Sequence, residues 1–258
     1  MQISCVIITF NEEKNIFRCL NSLKDIVDEI IVIDSFSTDN TENIVKSFPN
    51  IRFVQNKWSD YSTQKNFGNN LAKYDYILSI HADEELSKEL QESLLKIKET
   101  NKDEQNIFAF NRRNNYCGYW IKHCGWYPDK KIRLFNRKYT HWYGDIHEYL
   151  VFNTPQTNIL HLKGDLLHYS YYSISEHIAQ IDKFTTLTAK NHRDKSKQIS
   201  FIKMYFAVKW KFIRDYIFRL GFLDGKYGYQ ICKLSSIATM IKYIKINENI
   251  RHKNNCNK

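Results

Sequence analysis

The first hundred residues alternate short, nearly unbroken apolar runs with segments of helical periodicity, and that rhythm leaves few folds open. Ile3 to Thr9 is a continuous apolar run of strand length. Asn11 then opens a helix in which Ile16, Cys19, Leu20 and Leu23 recur at i, i+3, i+4 and i+7, the spacing of one buried helical face. Ile30 to Asp34 reads as a second strand, and Asp39 followed by Glu42 reads as a helix start. Ile51 to Val54, a helix through Gln64 to Leu71, and Tyr76 to Ile80 continue the pattern. Strands this uniformly apolar belong to a parallel sheet covered by helices on both faces.

Open sheets of this kind bind ligands beyond the carboxyl ends of their strands. Those places hold Thr9-Phe10-Asn11-Glu12, Asp34-Ser35-Phe36-Ser37-Thr38-Asp39 and His81-Ala82-Asp83-Glu84. Three acid-bearing loops are therefore expected on one sheet edge. Asp34 and Asp39 also fit the duller role of helix caps. After Ile107 the rhythm changes: Phe108 to Arg113, Ile132 to Phe135, Ile146 to Phe152 and Leu166 to Tyr171 read as strands, and Asn114 to Lys130 as a long aromatic loop. Trp120, Trp126 and Tyr127 in that loop are either sugar-stacking platforms or ordinary packing. From Ser173 the pattern is helical to about Ile246, interrupted at Gly221-Phe222-Leu223-Asp224-Gly225.

Composition narrows the class further. With 43% hydrophobic and 15% aromatic residues in 258, the chain can bury a substantial core, and disorder is expected only over the polar Arg251 to Lys258. Met1-Gln2-Ile3-Ser4 carries no basic leader and no window reaches the roughly 20 apolar residues of a spanning helix, so a cytoplasmic location is the expectation. Six cysteines without a CxxC pair argue for reduced thiols rather than zinc. The positive charge is confined to one end. From Thr186 onward 16 Lys and Arg face 4 Asp and Glu, while the remainder carries 22 against 24.

No GxGxxG or GxxxxGK[ST] follows the first strand, so an acidic edge must hold a phosphorylated ligand differently. A divalent cation bridging carboxylate and diphosphate is the physical solution, with Asp83 the chosen ligand and Mg²⁺ or Mn²⁺ the expected cofactor.

Ile7-Ile8-Thr9-Phe10-Asn11-Glu12, Ile33-Asp34-Ser35-Phe36-Ser37-Thr38-Asp39-Asn40-Thr41 and Gln64-Lys65-Asn66-Phe67-Gly68 resemble the nucleotide-binding signatures of the inverting family 2 glycosyltransferases, of GT-A fold. Gly125-Trp126-Tyr127-Pro128-Asp129, Ile132-Arg133-Leu134-Phe135-Asn136-Arg137, Ile146-His147-Glu148 and the Gly221 to Gly225 segment narrow the resemblance. Together they are similar to the β-1,4-glucosyltransferases that add glucose to the inner-core heptose of lipopolysaccharide. The resemblance implies an α/β, Rossmann-like GT-A domain over residues 1–172 with a mainly parallel central sheet, its nucleotide-sugar half about 1–106 and its acceptor half about 107–172. A basic helical extension, 173–258, follows.

It further implies that Thr9, Glu12 and Asp34 line a uridine pocket with Lys65 close by, and that the metal motif is His81-Ala82-Asp83. His81 stands where the family usually has an aspartate, a departure that bears on nucleotide contacts more than on the metal; as a ligand itself, its imidazole is softer than magnesium favours. Phe10, Asn11, Ser35, Ser37 and Ala82 complete the expected nucleotide-sugar contacts, with Arg133 and Arg137 as cations for the departing diphosphate. The base that takes the acceptor proton is Glu148 or Asp129, with Glu148 favoured by motif order.

The partners implied are a UDP-sugar and a lipid-linked core oligosaccharide. In the tail, Phe201, Met204, Tyr205, Val208, Phe212 and Ile213 form an apolar stripe flanked by Lys203, Lys209, Lys211 and Arg214, which suits peripheral association with the inner, anionic membrane face. Two other classes stay open: a sugar-nucleotide binder without catalysis, prompted by His81, and a nucleic-acid binder, prompted by the basic tail. Acidic strand-end loops and the lack of any nucleic-acid motif argue against the latter.

Overall fold

In a computed structural model, described for residues 1–144, 148–153, 158–192 and 198–256, the chain forms two compact units. The first comprises Met1–Arg112 and Asp129–Tyr169, the second Arg113–Pro128 and Ser170–Lys258. The segment 113–128, which the sequence division assigns to the acceptor half of the catalytic domain, packs within the second unit. Ile146 and His147 of the late acidic motif lie outside the described residues, whereas Glu148 is described.

The first unit is an α/β sheet whose strands run β3 (Ile51–Gln55), β2 (Glu29–Asp34), β1 (Ile3–Thr9), β4 (Tyr76–His81), β8 (Asp129–Asn136), β6 (Ile107–Tyr116), β11 (Ile159–Tyr171) and β5 (Glu84–Leu86). The first four are mutually parallel, with Ile8 opposite Ile33 on one side and His81 on the other. From β4 onward the β8 pairings are antiparallel, as is that of β11 with β5. The expected mainly parallel arrangement thus holds for the half of the sheet formed by β1 to β4.

Continuity of the apolar run in β1 hides a period of two. Ile3, Cys5 and Ile7 pack with α1 (Ile16–Leu23) and α4 (Lys88–Thr100), while Val6 and Ile8 join Ile31, Ile33 and the α3 (Tyr61–Leu71) side. Both faces are buried, so both favour apolar residues and the alternation vanishes from the sequence; the one serine, Ser4, is satisfied by Glu29 and the Tyr74 amide. The expected α1 face, Ile16, Cys19, Leu20 and Leu23, is buried throughout, although the helix starts at Ile16 rather than Asn11. The residues before it form the first strand-end loop.

Among the elements not announced by the sequence pattern are α4, β5 and β9 (Thr140–Tyr143), which pairs with β10 (Tyr149–Phe152). In α4 only Leu90 and Leu94 are buried, too sparse a stripe to stand out among charged neighbours.

The second unit is built on helices α5 (Ile174–Lys190), α6 (Phe201–Ile213) and α7 (Gly225–Cys256), with β7 (Tyr119–Trp120) folded back on the end of β6. A π turn, Arg214–Phe218, and a 3-10 turn, Gly221–Asp224, join the last two helices. Asp224 accepts the backbone amides of Lys122 and His123, so the Gly221 to Gly225 motif fastens the aromatic loop. Trp126 packs beside Tyr116, Tyr171 and His177, the packing alternative raised for it above. α7 continues through the polar stretch read as disordered, as far as Cys256. Helical propensity of Asn-, Lys- and His-bearing sequence suffices once the preceding turns are docked.

Gly68 explains one motif. A Cβ there would collide with Val6 Cγ1 and stand 3.0 Å from Ile33 Cγ1, so α3 can lie against β1 and β2 only with glycine at this point. Gly68→Ala is expected to destabilise the fold by about 1–3 kcal/mol, read from urea denaturation at constant m-value.

Candidate active site

Parallel register brings the ends of β1, β2 and β4 side by side, and side-chain to backbone bonds then lock the first two loops together. Asn11 adopts a left-handed φ of 54°, which its short polar side chain tolerates, and its Oδ1 accepts the Thr38 amide at 2.8 Å. In return the Asn11 amide donates to Ser37 Oγ, the Glu12 amide to Thr41 Oγ1 and the Glu13 amide to Asp39 Oδ2. Asp34 is fully buried and accepts both the amide and the hydroxyl of Ser37. Asp39 likewise accepts the Thr41 amide. Neither aspartate caps the helix that starts at Thr41, whose N-cap is Asn40; both instead close turns in the loop at the end of β2. Ser35 receives the Gln64 side-chain amide at 3.0 Å, Thr9 Oγ1 is buried without a hydrogen-bond partner, and Phe10 and Phe36 are exposed rims.

The third loop turns on Glu84. Wholly buried, it accepts the His81 amide at 2.9 Å with one oxygen and Arg133 Nη2 at 2.6 Å with the other. Burial alone would raise its carboxyl, but the Arg133 guanidinium, with Arg112 beyond it, holds it far below the usual carboxylate range. Arg133, expected as a diphosphate contact, is thus engaged with Glu84. Ala82 is buried within the turn. Asp83 is left facing the edge: Oδ2 meets His168 Nε2 at 3.0 Å, and Oδ1 is buried with no hydrogen-bond partner. His81 presents a similarly buried, unpartnered Nε2, and burial together with the Lys65 charge keeps its imidazole well below its ordinary pKa, hence neutral.

Lys65, only 1% exposed, donates to Glu148 Oε1 at 2.8 Å and lies 4.3 Å from the Trp142 ring centroid. Burial, aided by Arg133, lowers its pKa to about 8. Burial would raise Glu148, yet the Lys65 ammonium prevails and keeps that carboxyl below its usual value. The two base candidates therefore sit in different settings. Asp129 is clasped by Arg112 Nε and Nη2, at 2.9 and 2.7 Å, and by Lys131 Nζ at 3.1 Å. Arg137, the second arginine of the diphosphate expectation, binds the carbonyls of Asn69 and Ala72, a fastening role.

Exposed rings flank the Lys65–Glu148 pair. Trp58 and Tyr61 meet edge-on at 4.8 Å, and Tyr143 and Tyr149 pair across β9 and β10 at 5.8 Å. Asn66 clamps α3 to β9 through both Trp142 backbone groups. Burial and the charges of Glu148 and Asp83 raise the Tyr61 phenol, so all three groups share one field.

Sequence reasoning missed Glu84 and His168. Glu84 stands in the quoted segment, where its neighbour Asp83 took the attention; His168 lies 85 residues from Asp83 and only the β11–β5 register joins them.

Among the described residues no group of three or more His, Cys, Asp or Glu side chains is placed to hold an ion. A cation that completes its shell with phosphate oxygens and water needs only one or two carboxylates. The unbonded, buried Asp83 Oδ1 fits that requirement.

Residues 4–154 match the family model described as Glycosyl transferase family 2. The chain is 31% identical to an uncharacterized glycosyltransferase of Rickettsia typhi, over 96% of this chain and 87% of the relative. It is also 31% identical to the lipopolysaccharide core biosynthesis glycosyltransferase LpsC of Rhizobium meliloti, over 86% of this chain and 82% of LpsC. In fold it resembles residues 1–349 of S. aureus TarS in complex with UDP, with a TM-score of 0.50 at 14% identity, covering 98% of this chain and 92% of that one.

One carboxyl in the site titrates near neutrality. Burial, with Asp83 and Asp39 nearby and Asn15 and His168 opposing, raises Glu12 from 4.5 to about 7. A raised pKa means that the folded state holds the proton longer than the unfolded one, so stability falls as pH climbs between those two values. Glu12→Gln removes this loss. In urea titrations the variant is expected to gain on the wild type by on the order of 1–3 kcal/mol from pH 5 to pH 8, and a pH-independent difference would contradict the burial argument.

Proposed function

The chain belongs to glycosyltransferase family 2, and from that premise we propose that it transfers glucose from UDP-glucose, with inversion, to a heptose hydroxyl of a lipopolysaccharide inner core. The observation that carries the reading is the pairing of a carboxylate oxygen left unbonded at Asp83 with a second, ionised carboxylate at Glu148 along one strand-end cleft. Such a division of labour suits a reaction that needs one acid to anchor a charged donor and another to accept a proton. Similarity to LpsC, whose name carries lipopolysaccharide core biosynthesis, supports the acceptor class, and the UDP-bound TarS fold is compatible with the donor class.

In this reading Thr9, Asp34 and Ser35 face the nucleotide. Thr9 Oγ1, buried without a partner, gains one when a polar ligand arrives. Asp83 Oδ1 would hold Mg²⁺ or Mn²⁺, which offsets diphosphate charge as the sugar departs. His168 fixes the other Asp83 oxygen, so the carboxylate presents a single oxygen in a set direction. As the acceptor oxygen bonds to the anomeric carbon and the bond to the diphosphate oxygen breaks, Glu148 takes the hydroxyl proton. Lys65 keeps Glu148 unprotonated beforehand and neutralises it in a water-poor setting. Trp58, Tyr61, Tyr143 and Tyr149 offer flat apolar faces with polar edges, the chemistry of a sugar-stacking rim. Asp129, already bound to two cations, is the weaker candidate for base.

Purified chain given UDP-glucose, Mn²⁺ and a heptose-containing core lipid is expected to release UDP and form one glycosylated product. Glu148→Gln should lower kcat by roughly 10²- to 10⁴-fold while leaving the Kd for UDP-glucose unchanged. Asp83→Ala should abolish release, and Asp129→Asn should keep turnover within a few-fold. Full turnover in Asp83→Ala removes the cation from the scheme, and loss confined to Asp129→Asn transfers the base to that residue.

A further inference from the structure

The second unit carries a surface that its own core does not use. Phe212 and Tyr216 point inward, packing against Cys124, Ile231 and Cys232. Ile202, Phe206 and Trp210 recur at i+4 on another side of α6 and stand in solvent, and Ile217, Phe218 and Leu223 extend that exposed side through the two turns. Phe206 is 63% exposed and Phe218 66%, and the Trp210 and Phe218 rings touch at 5.8 Å, so the patch is continuous. Of the stripe expected from the sequence, Phe201, Tyr205 and Ile213 are exposed as well, whereas Phe212 packs inward. α6 is apolar nearly all round, one side serving the core and the other lacking a partner.

Charge indicates what covers it. Between Gln198 and Lys226 the only acids are Asp215 and Asp224, and both are buried. Asp215 is consumed by Lys211, Arg214 and Arg219, and Asp224 by the amides of Lys122 and His123. Lys203, Lys209 and Lys226 remain exposed around the apolar side. A second copy of this chain meeting it about a two-fold axis would bring like charges together. An anionic bilayer answers both features, apolar depth below and phosphates above. Among the described residues no helix is long and apolar enough to cross a membrane, so the mode is lying on the interface.

We propose that the exposed side of α6 and its two following turns is an anionic-membrane docking surface. Phe206, Trp210 and Phe218 enter the boundary between headgroups and acyl chains, and Lys203, Lys209 and Lys226 engage lipid phosphates. The proposal is independent of the transfer reaction, because binding is read without nucleotide or acceptor. Full-length protein is sedimented with vesicles of phosphatidylethanolamine and phosphatidylglycerol, and separately with phosphatidylcholine vesicles. The wild type is expected to pellet with the anionic vesicles and far less with the neutral ones. Phe206→Ser/Trp210→Ser/Phe218→Ser should lower partitioning by roughly tenfold or more with an unchanged circular dichroism spectrum. Lys203→Glu/Lys209→Glu, at two exposed positions of which Lys209 meets only the exposed Tyr205 ring among the contacts seen, should lower anionic binding by roughly tenfold and serves alone if the triple variant fails to fold. Wild-type protein that stays in the supernatant, or variants that bind as it does, would overturn the proposal. So would a wild-type dimer that the triple variant dissociates and that ignores vesicles.

Discussion

Two buried cations make the sheet edge possible. Glu12, Asp34, Asp83, Glu84 and Glu148 crowd the ends of a few adjacent strands and the loops beside them, and left uncompensated they would repel one another out of a water-poor cleft. Arg133 answers Glu84 and Lys65 answers Glu148, each nearly inaccessible to solvent. Each pairing removes one acid from general repulsion and gives it a fixed position. What is left over is informative: Glu12, without a cation of its own, is driven toward neutrality, and Asp83 keeps one oxygen unused. The edge is thus short of positive charge at the place where a charged ligand would bring or attract it.

This arrangement separates acids that look alike in sequence. Asp83 and Glu84 are consecutive, yet one is a buried anchor for the turn and the other faces the cleft. Lys65, expected close to uridine, is bonded to Glu148, its burial lowering its own pKa to about 8 while its charge lowers that of its partner. The ion pair fixes the position of the carboxylate and keeps it ionised, at the cost of a lower proton affinity.

The strands were legible because burial on both sheet faces demands unbroken apolar runs, and the strand-end rule then located all three loops of the cleft from β1, β2 and β4 alone. Their mutual bonds, such as Asn11 with Thr38, follow from register and from a left-handed turn that asparagine can adopt. Partners fixed by distant strand pairing were not legible: nothing near Asp83 in the chain points to His168, and Arg133 reads equally well as a ligand contact or as the counter-charge of Glu84. Helix α4 escaped because two buried leucines do not make a periodic stripe. The exposed side of α6 was legible only in part, through Phe201, Tyr205 and Ile213, since a helix apolar nearly all round does not disclose which side its neighbours will cover.

Transfer by the proposed route requires Asp83 to use its unbonded oxygen for a cation that carries a diphosphate. A crystal structure with UDP and Mn²⁺ measures this directly. The account predicts electron density for manganese within coordination distance of Asp83 Oδ1, bridging to the diphosphate, with His168 still on Oδ2. Diphosphate bound with Asp83 turned away from it, and manganese absent or held elsewhere, would contradict it.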